Sequence, residues 1–194
     1  MPAAAALVLL GGLGWYWFTS LVPSTYSVMD MGRADYGGGP AHEHGGGGGG
    51  RSVADLTGPA DGTPDVAVDL AARAETFELI SGERIQGYTL NGASPGPAIQ
   101  VRQGELVQVT LTNVDVPDGV TLHWHGVDVP NAEDGVAGVT QDAVRPGEEY
   151  VYRFVAEDAG TYWYHSHQVS HAQVRGGLFG TMVVFPRKCN SNYW

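Results

Sequence analysis

Two short motifs in the sequence could bind a metal ion. They are His123-Trp124-His125 and His165-Ser166-His167, and each places one residue between two histidines. On a β-strand, residues i and i+2 point to the same face, so each motif would present two imidazoles side by side. Side chains on adjacent strands lie within about 5 Å of one another. If the two strands are neighbours, the four rings could therefore converge on a small metal cluster.

The residue types leave the identity of the metal open, because imidazole donors suit copper, zinc, iron or nickel. Cys189 is the only cysteine, so the sequence offers no intrachain disulfide and no cysteine cluster for zinc or iron–sulfur. Any bound metal must be held by histidine or carboxylate. A cupin-like enzyme with a single metal ion is one alternative, and a single bound iron or zinc would favour it.

The histidine pairs lie in a region whose pattern predicts β-strands. From residue 65 onward the hydrophobicity alternates with period two, beginning with Val66, Val68 and Leu70. Turn signals separate the runs, at NGASPGP (91–97), RPGEE (145–149) and EDAG (157–160), which predicts an antiparallel sandwich or barrel. The further candidate strands are Thr76–Ile80, Arg84–Leu90, Ala98–Val101, Leu106–Asn113, Val120–Val127, Glu149–Ala156, Gly160–His165 and Leu178–Phe185.

Aromatic side chains accompany the histidines in these strands. Trp124, Tyr162, Trp163 and Tyr164 are predicted to pack inside the sandwich, since aromatic residues are common in strands. The chain carries a formal net charge of −11. This acidity argues against a nucleic-acid partner, because nothing would neutralise the phosphates. It would suit cationic partners such as metal ions or amines, or it serves only solubility.

The residues before the strands divide into two segments. Residues 1–23 contain an apolar run that ends in Trp15-Tyr16-Trp17-Phe18, which predicts a hydrophobic membrane-anchor helix with aromatic residues at the membrane surface. A cleaved export signal and a buried core helix are the alternatives. A membrane anchor or an export signal would put the domain outside the cytoplasm, membrane-anchored or secreted. Residues 24–64 are rich in glycine and histidine and predict a flexible, disordered linker. This segment contains possible copper ligands, which either bind copper transiently or have no part in metal binding: Met29, Met31, His42, Glu43 and His44.

Longer motifs around the histidines resemble a known family. TLHWHGVDVP (121–130), GTYWYHSHQ (160–168) and GGLFGTMVV (176–184) are similar to the amino-terminal copper motifs of the multicopper oxidases, the laccase-like group. NGASPGPAIQVRQGELVQVTLTN (91–113) resembles the first-domain signature of the same family. The resemblance implies an all-β, Greek-key β-sandwich of the cupredoxin type over residues 65–187, with copper as cofactor and an irregular tail at 188–194.

The resemblance also implies roles for individual residues. It makes His123 a ligand of the type 2 copper, His125 and His165 ligands of one type 3 copper, and His167 a ligand of the other. Asp134 occupies the place of an acidic residue that delivers protons to the cluster, although Asp134-Gly135 also suits an ordinary turn. Asp128 is a second acidic candidate. His171 matches the family's ligands poorly, and we expect it at the surface or beside the ligands.

The intact family couples one-electron oxidation of a substrate to four-electron reduction of O₂ to water. That reaction also needs a type 1 copper in a His-Cys-His neighbourhood, and Cys189 has no histidine near it. The missing ligands would come from a carboxy-terminal cupredoxin domain of the same or a partner chain. The partners implied are O₂ and a small-molecule or metal-ion reductant, and the chain is expected to be truncated and inactive alone.

Two other functions stay open at this stage. One is a membrane-tethered copper-binding or copper-donor module without oxidase activity. The other is a protein like the copper nitrite reductases, whose first domain should carry the type 1 cysteine that is missing here.

Overall fold

A computed structural model describes residues 9–17 and 55–187 of the chain. Residues 9–17 form a helix, α1, that belongs to a separate compact unit. No helix within these described ranges has both the length and the apolar character needed to span a bilayer. The predicted membrane helix over residues 1–23 is not confirmed. The rest of that segment, residues 24–54 of the predicted linker, and the tail from residue 188 lie outside the described residues.

Residues 66–185 form two four-stranded sheets that together make a β-sandwich. The first sheet has the order β2-β1-β4-β6, with β1 at Val66–Glu78, β2 at Arg84–Leu90, β4 at Leu106–Asn113 and β6 at Glu149–Val155. The second has the order β3-β8-β7-β5, with β3 at Ile99–Arg102, β5 at His123–His125, β7 at Gly160–His165 and β8 at Phe179–Phe185. A short helix, α2 at Ser170–Gly176, connects β7 to β8.

The sheets are mixed, so the prediction of an antiparallel sandwich is wrong for two strand pairs. Strand β1 pairs in parallel with β4, and β3 pairs in parallel with β8. The two predicted strands around Leu70 and Thr76 are a single 13-residue strand, β1. This strand changes partner at Ala72, which pairs with Asn113 of β4 and with Leu90 of β2. Its weakly apolar second half is held in the sheet by antiparallel pairing with β2.

One hydrophobic core lies between the sheets and receives residues from both. In β4, alternate residues Val107, Val109 and Leu111 are fully buried, as the period-two pattern predicts. Trp124 of the second sheet is also fully buried, and its ring centroid lies 4.9 Å from that of Phe154 in the first. Burial of such large aromatic rings is the main apolar stabilisation where the two sheets meet at β5 and β6.

The end of the predicted linker makes hydrogen bonds with the sandwich. The carbonyl oxygen of Leu56 accepts from the backbone N–H of Ala132 at 3.0 Å. The guanidinium of Arg153 on β6 donates to the carbonyl oxygens of Pro59 at 2.9 Å and Gly62 at 2.7 Å. Residues 56–62 therefore lie against the loop that follows β5 and against β6.

Candidate metal centre

The two histidine motifs lie on neighbouring antiparallel strands. His123 of β5 is the direct partner of His165 of β7, and His125 is opposite Trp163. Residues directly opposite on such strands point to the same face, so His123 and His165 face each other across the pair. The condition that the two strands be neighbours is confirmed by this register. His167 lies two residues beyond the end of β7.

The alternation of side chains puts the imidazoles outside the core. Trp124 points inward and is fully buried, whereas His123 is half-buried and His125 is exposed. Trp163 shares the outer face, with its ring centroid 4.1 Å from that of His165 and 5.1 Å from that of His125. The prediction that Trp163 packs inside the sandwich is therefore wrong, because its position in the strand alternation is that of the histidines.

Three of the imidazoles converge. Within the described residues, His123, His125 and His165 each offer a ring nitrogen, and these atoms all lie within 4.8 Å of one another. His125 Nδ1 is 3.3 Å from His165 Nε2. An imidazole nitrogen lies about 2.0 Å from the transition-metal ion that it binds. Two nitrogens that share one ion at a tetrahedral angle would therefore be about 3.3 Å apart. The His125–His165 pair therefore already has the spacing of two ligands of one metal ion.

Hydrogen bonds fix which nitrogen of His165 is free. His165 Nδ1 lies 2.9 Å from the carbonyl oxygen of Ser166; a carbonyl only accepts, so Nδ1 carries the proton and Nε2 keeps its lone pair. Burial lowers the pKa of His165 to about 4; the bond to Ser166 opposes this shift, and the other three imidazoles add to it. His165 is therefore neutral at pH 7, as a metal ligand must be.

Asp134 holds the ring of His123. His123 Nδ1 lies 2.9 Å from the carbonyl oxygen of Asp134 and 3.2 Å from its carboxylate Oδ1. The carbonyl again requires the proton on Nδ1, which leaves Nε2 of His123 free for a metal. The turn approaches the strand closely at Gly135, whose φ is +71° and whose hypothetical Cβ would be 1.8 Å from the carbonyl oxygen of Leu122. Only glycine allows the turn to place Asp134 there.

His167 lies next to the three-histidine group but is not part of it. Its ring centroid is 5.4 Å from that of His123 and 6.3 Å from that of His165. Burial lowers the pKa of His167, and the nearby imidazole of His123 lowers it further. His167 should therefore also be neutral at pH 7, the form in which an imidazole can bind a metal ion.

The other candidates lie elsewhere. Asp128 lines an open cleft with Pro59, Val129 and Glu157, and no imidazole lines this cleft. His171 is on α2, where its Nε2 lies 3.4 Å from Arg175 Nη1.

Sequence reasoning missed two buried glutamines near the second motif, of which only Gln173 bonds to the motif through its side chain. Gln173 on α2 accepts a hydrogen bond from Ser166 Oγ at 2.6 Å, and Gln168 Nε2 donates to the carbonyl oxygen of Asp118 at 2.8 Å. Both glutamines are almost fully buried. The sequence carries one weak signal for them: Gln168 directly follows His167, and Gln173 lies six residues after it.

The donor set fits copper. Imidazoles are ligands that copper binds well, and in His123 and His165 the second ring nitrogen is already held by a carbonyl group, which sets the tautomer of these two rings. A mainly β sandwich with imidazoles grouped on the outer face of the neighbouring strands β5 and β7 is consistent with a domain of the cupredoxin-like class.

The comparisons with known proteins agree. The multicopper oxidase family model matches residues 71–189, and the chain belongs to this family. It is 45% identical over 101 residues to multicopper oxidase MCE of Talaromyces pinophilus, covering 51% of this chain and 16% of that protein. It is 38% identical over 127 residues to a copper resistance protein A homolog of Pseudomonas syringae pv. tomato, covering 66% of this chain and 21% of that protein.

Solved structures give the same result. The sandwich is similar to the crystal structure of a multi-copper oxidase from Pseudomonas thermotolerans, with a TM-score of 0.61, 35% identity, and coverage of 66% of this chain and 32% of that one. The chain spans about a fifth of the length of the curated relatives above.

Proposed function

We propose that residues 65–187 form the first domain of a copper-dependent oxidase and supply half of the histidine ligands of its trinuclear copper cluster. The observation that carries the proposal is the 3.3 Å separation between His125 Nδ1 and His165 Nε2, on two strands whose register makes His123 and His165 direct partners. The family membership supports copper as the metal. The ligands supplied by this domain are His123, His125, His165 and His167.

Each histidine has a separate part in the proposal. His125 and His165 together hold one copper of the type 3 pair, because Nδ1 of His125 and Nε2 of His165 have the spacing of two ligands of a shared ion, which would displace the proton now between them. His123 holds the type 2 copper through Nε2, since Asp134 occupies the side of Nδ1. His167 holds the second type 3 copper, in keeping with its place outside the three-histidine group. When bound, copper changes its oxidation state and so carries the electrons with which O₂ is reduced to water.

Asp134 supplies protons in this proposal. Its carboxylate Oδ1 is 3.2 Å from His123 Nδ1, and the side chain is 34% exposed, so one end of the group contacts a ligand and the other contacts water. A carboxylate with both contacts can take a proton from solvent and hold it beside the cluster. The structural role of its carbonyl, which fixes the His123 ring, is separate from this one.

The remaining cluster ligands and the type 1 copper would come from a carboxy-terminal cupredoxin domain, in the same chain or in a partner. The electron donor is a small molecule or a metal ion. The domain would act outside the cytoplasm, tethered to a membrane by residues 1–23 or secreted. The oxidase is favoured over the copper-donor module because the family model that matches the domain is that of the multicopper oxidases.

The test is copper binding by the purified 194-residue chain. Copper content is measured by mass spectrometry, affinity by competition with a chelator, and ligand type by electron paramagnetic resonance. His125→Ala should weaken copper binding by more than the roughly 10–100-fold that loss of a partner to a ligand costs. His171→Ala is the matched control and should leave binding unchanged.

Other outcomes would contradict the proposal. Equal copper binding by the chain and by its His125→Ala variant would remove the ligand assignment. Oxidation of a phenolic dye by the purified chain with copper would show that this domain is not half of a site. A single tightly bound zinc or iron ion would favour the cupin-like alternative, and rapid transfer of copper to an acceptor protein would favour the donor module.

A further inference from the structure

Ser166, between the two histidines of the second motif, faces the interior. Its side chain is fully buried, and its Oγ donates a hydrogen bond to Gln173 Oε1 at 2.6 Å. Gln173 Nε2 in turn donates to the carbonyl oxygen of Gly119 at 2.8 Å. The amide of Gln173 thus joins the ligand segment to the loop before β5, so that both ends of this amide are satisfied in a buried place where an unpaired group would be unfavourable.

The main chain of Ser166 is tied to the metal centre. Its carbonyl oxygen accepts the hydrogen bond from His165 Nδ1 at 2.9 Å, and its N–H donates to the carbonyl oxygen of Leu178 at 3.0 Å. His167 is the next residue. The orientation of the peptide unit between Ser166 and His167 therefore decides which nitrogen of His165 is free and where the chain continues to His167.

Helix α2 brings Gln173 to this place. Gln173 is the buried residue of the helix, and its carbonyl oxygen also accepts from the N–H of Leu178 at 3.0 Å. The helix begins directly after Val169, which has φ +47°, an unfavourable conformation for a β-branched residue. Backbone strain of this kind persists only where the surroundings fix it. The bonds of Gln173 are contacts that hold the strained turn against the ligand segment.

We propose that Gln173 is a positioning residue for the metal centre, which acts through Ser166 to fix the tautomer and the orientation of His165 and the place of His167. The part that concerns copper rests on the proposed function; the part that concerns the tautomer of His165 does not. Hydrogen-bond partners beyond the ligands typically change metal affinity 10–100-fold. Gln173 is one step further out, so we expect about tenfold.

The experiment compares three variants of the full chain. Gln173→Met keeps the length of the side chain and removes both hydrogen bonds. Ser166→Ala removes the shared bond from its other end, together with the Oγ that accepts the backbone N–H of Gln168 at 3.2 Å. Gln168→Met is the matched control, because Gln168 is an equally buried amide whose side chain bonds to Asp118 instead. Tautomers are read in the metal-free chain by nuclear magnetic resonance of the imidazole nitrogens, and copper(II) affinity is measured by chelator competition.

In the unmodified chain, His165 should show the form protonated at Nδ1. In Gln173→Met and Ser166→Ala that form should give way to a mixture, with copper affinity about tenfold lower; combining the two changes should add little. Gln168→Met should keep the tautomer and an affinity within about twofold, even if it unfolds as easily as Gln173→Met.

A Gln173→Met chain with an unchanged tautomer and unchanged affinity would overturn the inference. If Gln173→Met does not fold, the smaller change Ser166→Ala decides the same question. If the unmodified chain binds no copper, the proposed function fails, while the tautomer comparison still tests the role of Gln173.

Discussion

The indole N–H of Trp124 donates a hydrogen bond to the carbonyl oxygen of Glu133 at 3.0 Å. This bond joins the buried face of β5 to the turn that carries Asp134. Both His123 and the group that orients it are therefore fixed from inside the core, on the side opposite to the metal centre.

Trp124→Phe should destabilise the domain by about 2–4 kcal/mol, because it leaves the Glu133 carbonyl unpaired and the core less filled. The measurement is chemical denaturation, with a lower midpoint and an unchanged slope. Trp163→Phe is the control; its ring lies on the outer face, 37% exposed, and we expect a change within about 0.5 kcal/mol. Equal losses in the two variants would show that the inward bond of Trp124 is unimportant.

Gly135→Ala should be among the most destabilising single changes near the site. The added Cβ would be 1.8 Å from the carbonyl oxygen of Leu122 at a φ of +71°, so the turn must move. Gly147→Ala separates the two causes, since Gly147 has φ +86° but open space around its Cβ. We expect about 1–2 kcal/mol for Gly147→Ala from the φ angle alone, and a clearly larger loss in unfolding free energy for Gly135→Ala. A smaller loss at Gly135 would mean that the turn shifts at little cost.

Glu133→Gln should loosen the segment before β1. Both carboxylate oxygens accept backbone N–H groups, from Gly58 at 3.2 Å and from Arg153 at 2.8 Å. An amide has only one oxygen, so one N–H would lose its acceptor, at a cost of about 1–3 kcal/mol. Hydrogen exchange at Gly58 and Arg153 is the measurement, and exchange should become faster at one of them. Glu149→Gln, at an exposed position of β6, should leave both amides protected.

The metal-free domain should lose stability in weak acid. Burial lowers the folded-state pKa of His165 to about 4, below its ordinary value of 6.5. Between these pH values the unfolded chain binds more protons than the folded one, so stability is present above about pH 6.5 and falls as the pH approaches 4. Denaturation at several pH values checks this. In His165→Gln the difference between pH 7 and pH 4.5 should shrink; an unchanged difference would assign the acid sensitivity to other groups.

The sequence predicts some of these features better than others. The period of two predicts that the histidines of each pair share one face of a strand. This holds for His123 and His125 on β5, whereas His165 ends β7 and His167 lies beyond it. Strand β5 is shorter than the predicted Val120–Val127, because Gly126 has φ +82° and Val120 makes only an isolated bridge to Val144. Composition does not reveal such changes in backbone direction.

Helix α2 and the contact between Asp134 and His123 could not be derived from periodicity. SHAQVRG is too short to show a helical repeat, and its buried residue is the polar Gln173. Only the family resemblance predicts a role for Asp134. Its contact with His123 depends on a turn that brings Asp134, eleven residues further along the chain, back to the start of β5. Both features come from tertiary hydrogen bonds, which a one-dimensional pattern does not contain.

Strand β5 is three residues long and lies at the edge of its sheet, with β7 as its neighbour. Few backbone hydrogen bonds hold so short a strand, so local opening should begin there before the rest of the sandwich unfolds. A metal ion shared by His125 and His165 would cross-link β5 to β7 through the side chains. Binding would then hold this edge of the sheet closed, and slower hydrogen exchange in β5 would report that the site is occupied.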